Sequence, residues 1–148
     1  MIQIEPIILP EYVSTRRFLL YEAAISDYDG SQLILFRSFG EYEGAETIDL
    51  IIYAPIYLEL LVDLDYLRIT KPRDEIAQKL AQSFNSASDR VYAIESAGKR
   101  FHFISVNFWI HEHKKPMEGS SLPALCSEDL SKRDAYFTEY VEYWYKVD

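Results

Sequence analysis

The sequence predicts an α+β domain built on an antiparallel sheet of about five to six strands, with two main helices packed mainly on one face. Three observations carry this reading. Short apolar segments follow one another through the first half, separated by brief turns rich in Gly and acidic residues. One amphipathic segment with helix-start chemistry lies between these strands and a second hairpin. No internal repeat, low-complexity tract or Gly/Ser linker divides the chain, so residues 1–148 read as a single domain, long enough for a real core.

Taken in order, "FLLYEAAIS" (18–26) and "SQLILFRSF" (31–39) flank "DYDG", whose Asp29-Gly30 step signals a hairpin turn. "TIDLIIY" (47–53) is the third strand. Ile48, Leu50 and Ile52 share one face and Asp49, Ile51 and Tyr53 the other; both faces are largely apolar, which predicts a central position. Pro55 opens a short turn of helix, "PIYLELLVD", and "DYLRIT" (65–70) reads as a further strand. "KPRDEIAQKLAQSF" is the clearest helix. Pro72 suits the first turn, Asp74 and Glu75 favour the positive end of the helix dipole, and Ile76, Ala77, Leu80, Ala81 and Phe84 form one stripe. "RVYAIES" and "KRFHFISVNFWI" read as a second hairpin, with Ile104, Val106, Phe108 and Ile110 facing the core together; 112–127 reads as a long loop.

The last segment, "YFTEYVEYWYKVD", places acids among six aromatic residues. As a strand neither face is clean. As a helix, Phe137, Tyr140, Val141 and Trp144 fall at i, i+3, i+4 and i+7, with Ser127 as N-cap before Glu128 and Asp129. The helix is therefore expected, its stripe packed on a sheet.

Composition narrows the function. An aromatic content of 15% and a hydrophobic content of 49% argue against disorder. The apolar runs are too short for a membrane span and the first residues lack a secretory signal pattern. The single cysteine, Cys126, leaves no internal disulfide and suits a reducing cytoplasm. Residues 1–70 hold twelve acids and four bases, and residues 71–148 hold twelve and eleven, so nearly all of the −9 charge sits in the first half. No basic patch is available for nucleic acid; attraction to a basic protein is the sharper reading.

Chemistry-bearing motifs are sparse. His111 and His113 in "HEH" point the same way on a strand, but His102 has the opposite parity and no third ligand is singled out, so they read as surface histidines at a strand end. "DYDGS" lacks the spacing of a calcium loop. Cys126 has no histidine near it in sequence. No phosphate loop or nucleophile elbow occurs, so no catalytic residue, cofactor or metal ligand is assigned and the chain reads as a non-enzyme. The acids are more telling as a group. Glu41, Glu43, Glu46 and Asp49 precede or open the third strand, Glu59, Asp63 and Asp65 follow Pro55, and Tyr42, Tyr57 and Tyr66 are interleaved. Either this is a solvated rim, or it is a docking surface in which acids speed encounter and aromatics supply buried area.

The stretch "GAETIDLIIYAPIYLELLVDLDYLRITKPRDEI" resembles a group of small acidic immunity proteins carried beside bacterial polymorphic or contact-dependent toxins. The resemblance covers about residues 18–84. Gly44 and Glu46 match an acidic loop, Pro55 and Leu58 match a following Pro and Leu, and "YLRI" at 66–69 stands for the next strand; Ala54 and Tyr57 depart, where that group has Thr and Trp. The resemblance implies a toxin-neutralising role and no contact residues. Charge and position then give the expected partner-binding set: Glu41, Tyr42, Glu43, Glu46, Asp63, Asp65 and Tyr66. The partner expected is a basic toxin domain, of the nuclease class. The alternatives are an acidic secretion chaperone binding an effector, or a small enzyme or ligand-binding protein with a carboxylate inside the sheet.

Overall fold

The computed structural model of the chain describes residues 5–38, 44–59 and 63–148. The fold is mixed α+β. One sheet contains eight strands among the described residues, more than the five to six expected: β1 (Ile7–Leu9), β2 (Glu11–Ile25), β3 (Gln32–Ser38), β4 (Ile48–Leu58), β5 (Asp63–Thr70), β6 (Val91–Ser96), β7 (Lys99–His113) and β8 (Val141–Val147). The helices are α1 (Glu75–Ser83), α2 (Leu122–Leu125) and α3 (Leu130–Tyr140).

The pairing closes on itself. β2, β3 and β4 form an antiparallel meander, β4 pairs with β7, β7 with β6, β6 with β5, and β5 returns to β2. Six strands thus make a ring. Long β7 uses one edge twice: Lys99–Ile104 pairs with β6, and Ile110–His113 pairs with β8, which carries β1 parallel to it. Side chains fill the ring, as in other small barrels. Phe18, Phe36, Leu50, Leu67, Ile94 and Phe103 belong to this inner cluster, with the Tyr92 and Phe103 rings stacked at 5.0 Å.

The outer surface is covered in two places. Ala77 and Ala81 of α1 pack on Val91 and Ile104; small residues let the helix approach the strands closely. Asp74 caps α1, its carboxylate accepting from the Ala77 amide at 2.9 Å. Leu122 and Leu125 of α2 and Tyr136 of α3 pack with Leu33, Leu35 and Ile51 on the opposite side of β3 and β4 from the barrel core.

The hairpin turn at Asp29-Gly30, the inward set Ile48, Leu50 and Ile52, and the central place of β4 between β3 and β7 agree with the sequence reading. Four expectations need correction. Pro55 does not open a helix: β4 continues to Leu58, with a register shift between Pro55 and Tyr57 that absorbs the proline and the positive φ of Ala54. Ile104, Val106, Phe108 and Ile110 do not share a face. Ile104 packs toward α1 and Val106 is exposed, while Phe108 and Ile110 enter the barrel. The segment 112–127 is not all loop, since β7 reaches His113 and α2 lies within it. The C-terminal segment is half helix and half strand: α3 ends at Tyr140, and Val141–Val147 pairs with β7, so the expected stripe of Phe137, Tyr140, Val141 and Trp144 is split. The cap is Asp129, which accepts from the Ser131 amide at 3.0 Å, rather than Ser127.

Candidate functional site

Of the seven expected contact residues, Glu41, Tyr42 and Glu43 lie outside the described residues. The other four separate into two environments. Glu46 does not stand free. Its carboxylate takes a hydrogen bond from the Arg16 guanidinium at 2.6 Å, and its carbonyl takes a second, also at 2.6 Å. Asp63, Asp65 and Tyr66 lie on the outer side of β5, beside β2.

Register defines this face. Phe18 pairs with Leu64, and Tyr12 with Ile69, pointing into the barrel. The alternating positions therefore face outward, pairing Val13 with Arg68, Arg17 with Asp65 and Leu19 with Asp63. Tyr66 sits at a register irregularity, with φ of 50°, and is 69% exposed. The left-handed backbone swings this large ring clear of the ladder. Val13 and Leu19 are also exposed, and no helix core cluster includes a residue of β5. Around these apolar groups run ion pairs: Arg17 binds Asp63 through two bonds of 2.9 and 2.6 Å, and Arg68 meets Glu11 at 2.5 Å and Glu95 at 3.7 Å. Its hydrogen bond from Arg17 holds the Asp63 carboxyl below the usual carboxylate range.

These pairs change the charge picture. All four cations of residues 1–70 are engaged by acids of the same half: Arg16 by Glu46, Arg17 by Asp63, Arg37 by Asp49 and Arg68 by Glu11. Asp49, expected on the acidic rim, is fully buried. The acidic surplus on the outside is thus carried among the described residues by others, including Asp65 on this face and Asp27 and Asp29 at the β2–β3 turn beside exposed Ile25 and Tyr28.

A second polar group lies beneath α3 and the 114–127 segment. Arg37 and Asp49 are opposite each other on β3 and β4, on the side away from the barrel core. Burial opposes the guanidinium charge, and the bonds to Asp49 outweigh it, holding Arg37 above its usual range. The other Arg37 amino group donates to the Gly119 carbonyl at 2.7 Å, and Tyr21 covers the guanidinium at 4.4 Å. Ser121 donates to Asp49 at 3.0 Å.

His111 and His113 are in this group, each 1% exposed, and not at the surface as expected. They do share a face. His113 Nδ1 lies 2.8 Å from the Thr47 carbonyl, which only accepts, so this nitrogen carries the proton. In the neutral ring Nε2 is then an acceptor for the Tyr136 hydroxyl at 2.8 Å, and that hydroxyl accepts in turn from His111 Nδ1 at 2.9 Å. Burial keeps both rings neutral, pushing His111 down to about 3 and His113 below its ordinary value against the pull of Asp49. Among the described residues no group of three or more His, Cys, Asp and Glu is arranged to hold a metal ion.

A third cluster closes the barrel near β8. Tyr145 donates to the Glu112 carboxylate, Tyr12 lies 6.1 Å from the Tyr145 ring, and Arg16 and Glu46 flank it. Burial first, and Glu112 second, push both phenols up, Tyr12 to about 12. Such phenols are poor bases and nucleophiles at neutral pH. Burial also pushes the Cys126 thiol up, away from the activated thiolate a nucleophile needs. No helix among the described residues is long and apolar enough to cross a membrane.

Sequence reasoning singled out Asp65 and Tyr66, which lie on this outer face, and did not single out Val13, Leu19 or the Arg partners beside them. The signal was present: four arginines in an acidic half invite pairing, and Arg37 and Asp49 each interrupt an apolar strand. No protein-family model, no curated protein and no solved structure matches the chain.

Proposed function

We propose that this chain is a cytoplasmic immunity protein that binds a basic toxin domain, of the nuclease class, and blocks access to its substrate surface without chemistry of its own. The observation that carries the reading is the outer face of β2 and β5, where Tyr66, Leu19 and Val13 are exposed between ordered ion pairs. Aromatic and aliphatic groups held on a rigid sheet supply desolvated contact area, and prepaired charges lose little entropy on docking. The net charge of −9 steers a cationic partner toward the molecule. The resemblance over residues 18–84 gives the role. Glu41, Tyr42 and Glu43 remain proposed contacts alongside Asp65 and Tyr66, whereas Glu46 and Asp63 engage a partner only in competition with Arg16 and Arg17.

The experiment reads the neighbouring genes for a basic toxin domain and then runs a pull-down and titration against that domain; neighbours that encode none count against the proposal. A one-to-one complex that protects the toxin's substrate supports the proposal. A dimeric protein that binds an effector without inhibiting it indicates the chaperone alternative, and turnover of a small molecule indicates the enzyme alternative.

A further inference from the structure

Two strands and one helix meet at a single line of hydrogen bonds whose direction is fixed. Thr47 begins the approach to β4, His111 and His113 end β7, and Tyr136 lies in α3. The Thr47 carbonyl fixes the proton on His113 Nδ1, so the line runs from His111 Nδ1–H to the Tyr136 oxygen, and from the Tyr136 hydroxyl to His113 Nε2. Each link has one donor and one acceptor.

We propose that the His111–Tyr136–His113 line is an acid-sensitive catch that holds α3 and the 114–127 strap against the barrel. A proton added to His113 Nε2 turns a donor toward the Tyr136 hydroxyl. The hydroxyl must then reverse and donate elsewhere, and His111 Nδ1 already points a proton at it. Reversal at His111 requires its proton to move to Nε2, and that atom is buried with no hydrogen-bond partner among the described residues. After a proton is added, the line closes only by reversing onto a partnerless His111 Nε2–H, or by crowding both histidine donors onto the Tyr136 oxygen while its hydroxyl turns to Ser121, and both arrangements are costly in a buried site.

The same residues carry the strap. His113 is its first anchor; the Met117 amide donates to the Thr47 hydroxyl at 2.9 Å, Arg37 donates to the Gly119 carbonyl, and Ser121 to Asp49. The charged and titratable groups facing His113 are Arg37 from β3, Asp49 from β4, with Oδ2 at 3.6 Å, His111 from β7 and Tyr136 from α3; β8 contributes the uncharged Trp144 against His111. Asp49 attracts an added proton to His113, but its oxygens are already committed to Arg37 and Ser121. Protonation thus weakens the pairing that fastens the strap. The barrel interior, filled by Phe18, Leu50 and Phe103, holds no part of this line.

The test is amide hydrogen exchange of the full chain between pH 7.5 and 4.5, corrected for intrinsic exchange, with strap and barrel amides followed separately. Protection at residues 114–127 and in α3 falls at least tenfold below that of β3 and β4 as the pH drops, while the barrel strands remain protected. His113→Asn keeps a donor for the Thr47 carbonyl and cannot titrate, so its strap loses protection at lower pH than the wild type. Tyr136→Phe removes the shared hydroxyl, and its strap is exchange-prone already at pH 7.5 with a flattened pH dependence. Strap and barrel losing protection together in the wild type, at the same pH and to the same extent, overturns the proposal. So does a strap whose pH dependence is unchanged in His113→Asn.

Discussion

Arg37 and Asp49 face each other across β3 and β4 as a two-bond ion pair, Nε to Oδ1 at 2.7 Å and Nη2 to Oδ2 at 2.9 Å, with neither side chain exposed. A buried pair of this kind is costly to break from one side, because the surviving charge has no water to return to. Asp49→Ala is therefore expected to lower unfolding free energy by about 3–5 kcal/mol, read from urea denaturation. The double variant Arg37→Met with Asp49→Leu should lose clearly less than the sum of the two single variants. Additive losses would mean that the two groups do not act as a pair.

Acid should weaken the fold before it reaches the ordinary carboxylate range. Burial depresses His111 to about 3 and also lowers His113. Below a pH of about 6.5 the unfolded chain binds protons that the folded chain refuses, so unfolding free energy falls as the pH falls toward the folded values. Each such histidine contributes a slope of at most about 1.4 kcal/mol per pH unit. Asp63, Asp74 and Asp129 act in the same direction at lower pH: their carboxyls are held down by Arg17, the Ala77 amide and Ser131 respectively, and their contributions disappear as the pH falls through their folded values. Denaturant titrations at pH 7.5, 6 and 5 check the slope; equal stability at all three would contradict neutral buried histidines.

If Tyr66 is a contact as proposed, substituting it separates stability from recognition. Its backbone has φ of 50°, where a non-glycine residue costs about 1–2 kcal/mol. Tyr66→Gly removes that cost, offset in part by the greater freedom of glycine in the unfolded chain, so stability should hold or rise by up to about 1 kcal/mol. The exposed ring is lost at the same time, and partner affinity should drop. A thermal melt beside a binding titration checks both; a strongly destabilised Tyr66→Gly would show that the ring supports the fold.

At the start of α1, Asp74→Ala removes the side-chain acceptor of the Ala77 amide and an ion pair with Arg100 at 3.3 Å. The loss of the cap should cost about 1 kcal/mol, seen as a lowered denaturation midpoint with an unchanged slope.

Local rules made the strands of the front half legible, because Asp29-Gly30 and the period-two sets of "TIDLIIY" are decided within a few residues. α1 was legible for the same reason: its cap, proline and stripe lie within one segment. The C-terminal segment was not, because a helical stripe from Phe137 to Trp144 is compatible with its residues, and the exposed edge of β7 beyond β6 decided in favour of a strand after Tyr140. Closure into a barrel depends on β5 meeting β2 and β7 meeting β4, contacts between distant residues that no local pattern announces. The candidate face was partly visible. Asp65 and Tyr66 were marked by type, but the pairing of Glu46 with Arg16 and of Asp63 with Arg17 depends on register. The "HEH" histidines misled because alternation shows that they share a side and not that α3 covers it.

The most direct measurement is the affinity and salt dependence of binding to a basic toxin domain of the class proposed as partner, comparing wild type with Tyr66→Ala, Leu19→Ser and Asp65→Lys. The account predicts a one-to-one complex whose association slows as salt rises. It further predicts that Tyr66→Ala weakens the complex by about 30-fold or more, as expected of an interface anchor, without lowering the melting temperature. Wild-type affinity in all three variants, or no complex at any salt concentration, would contradict it.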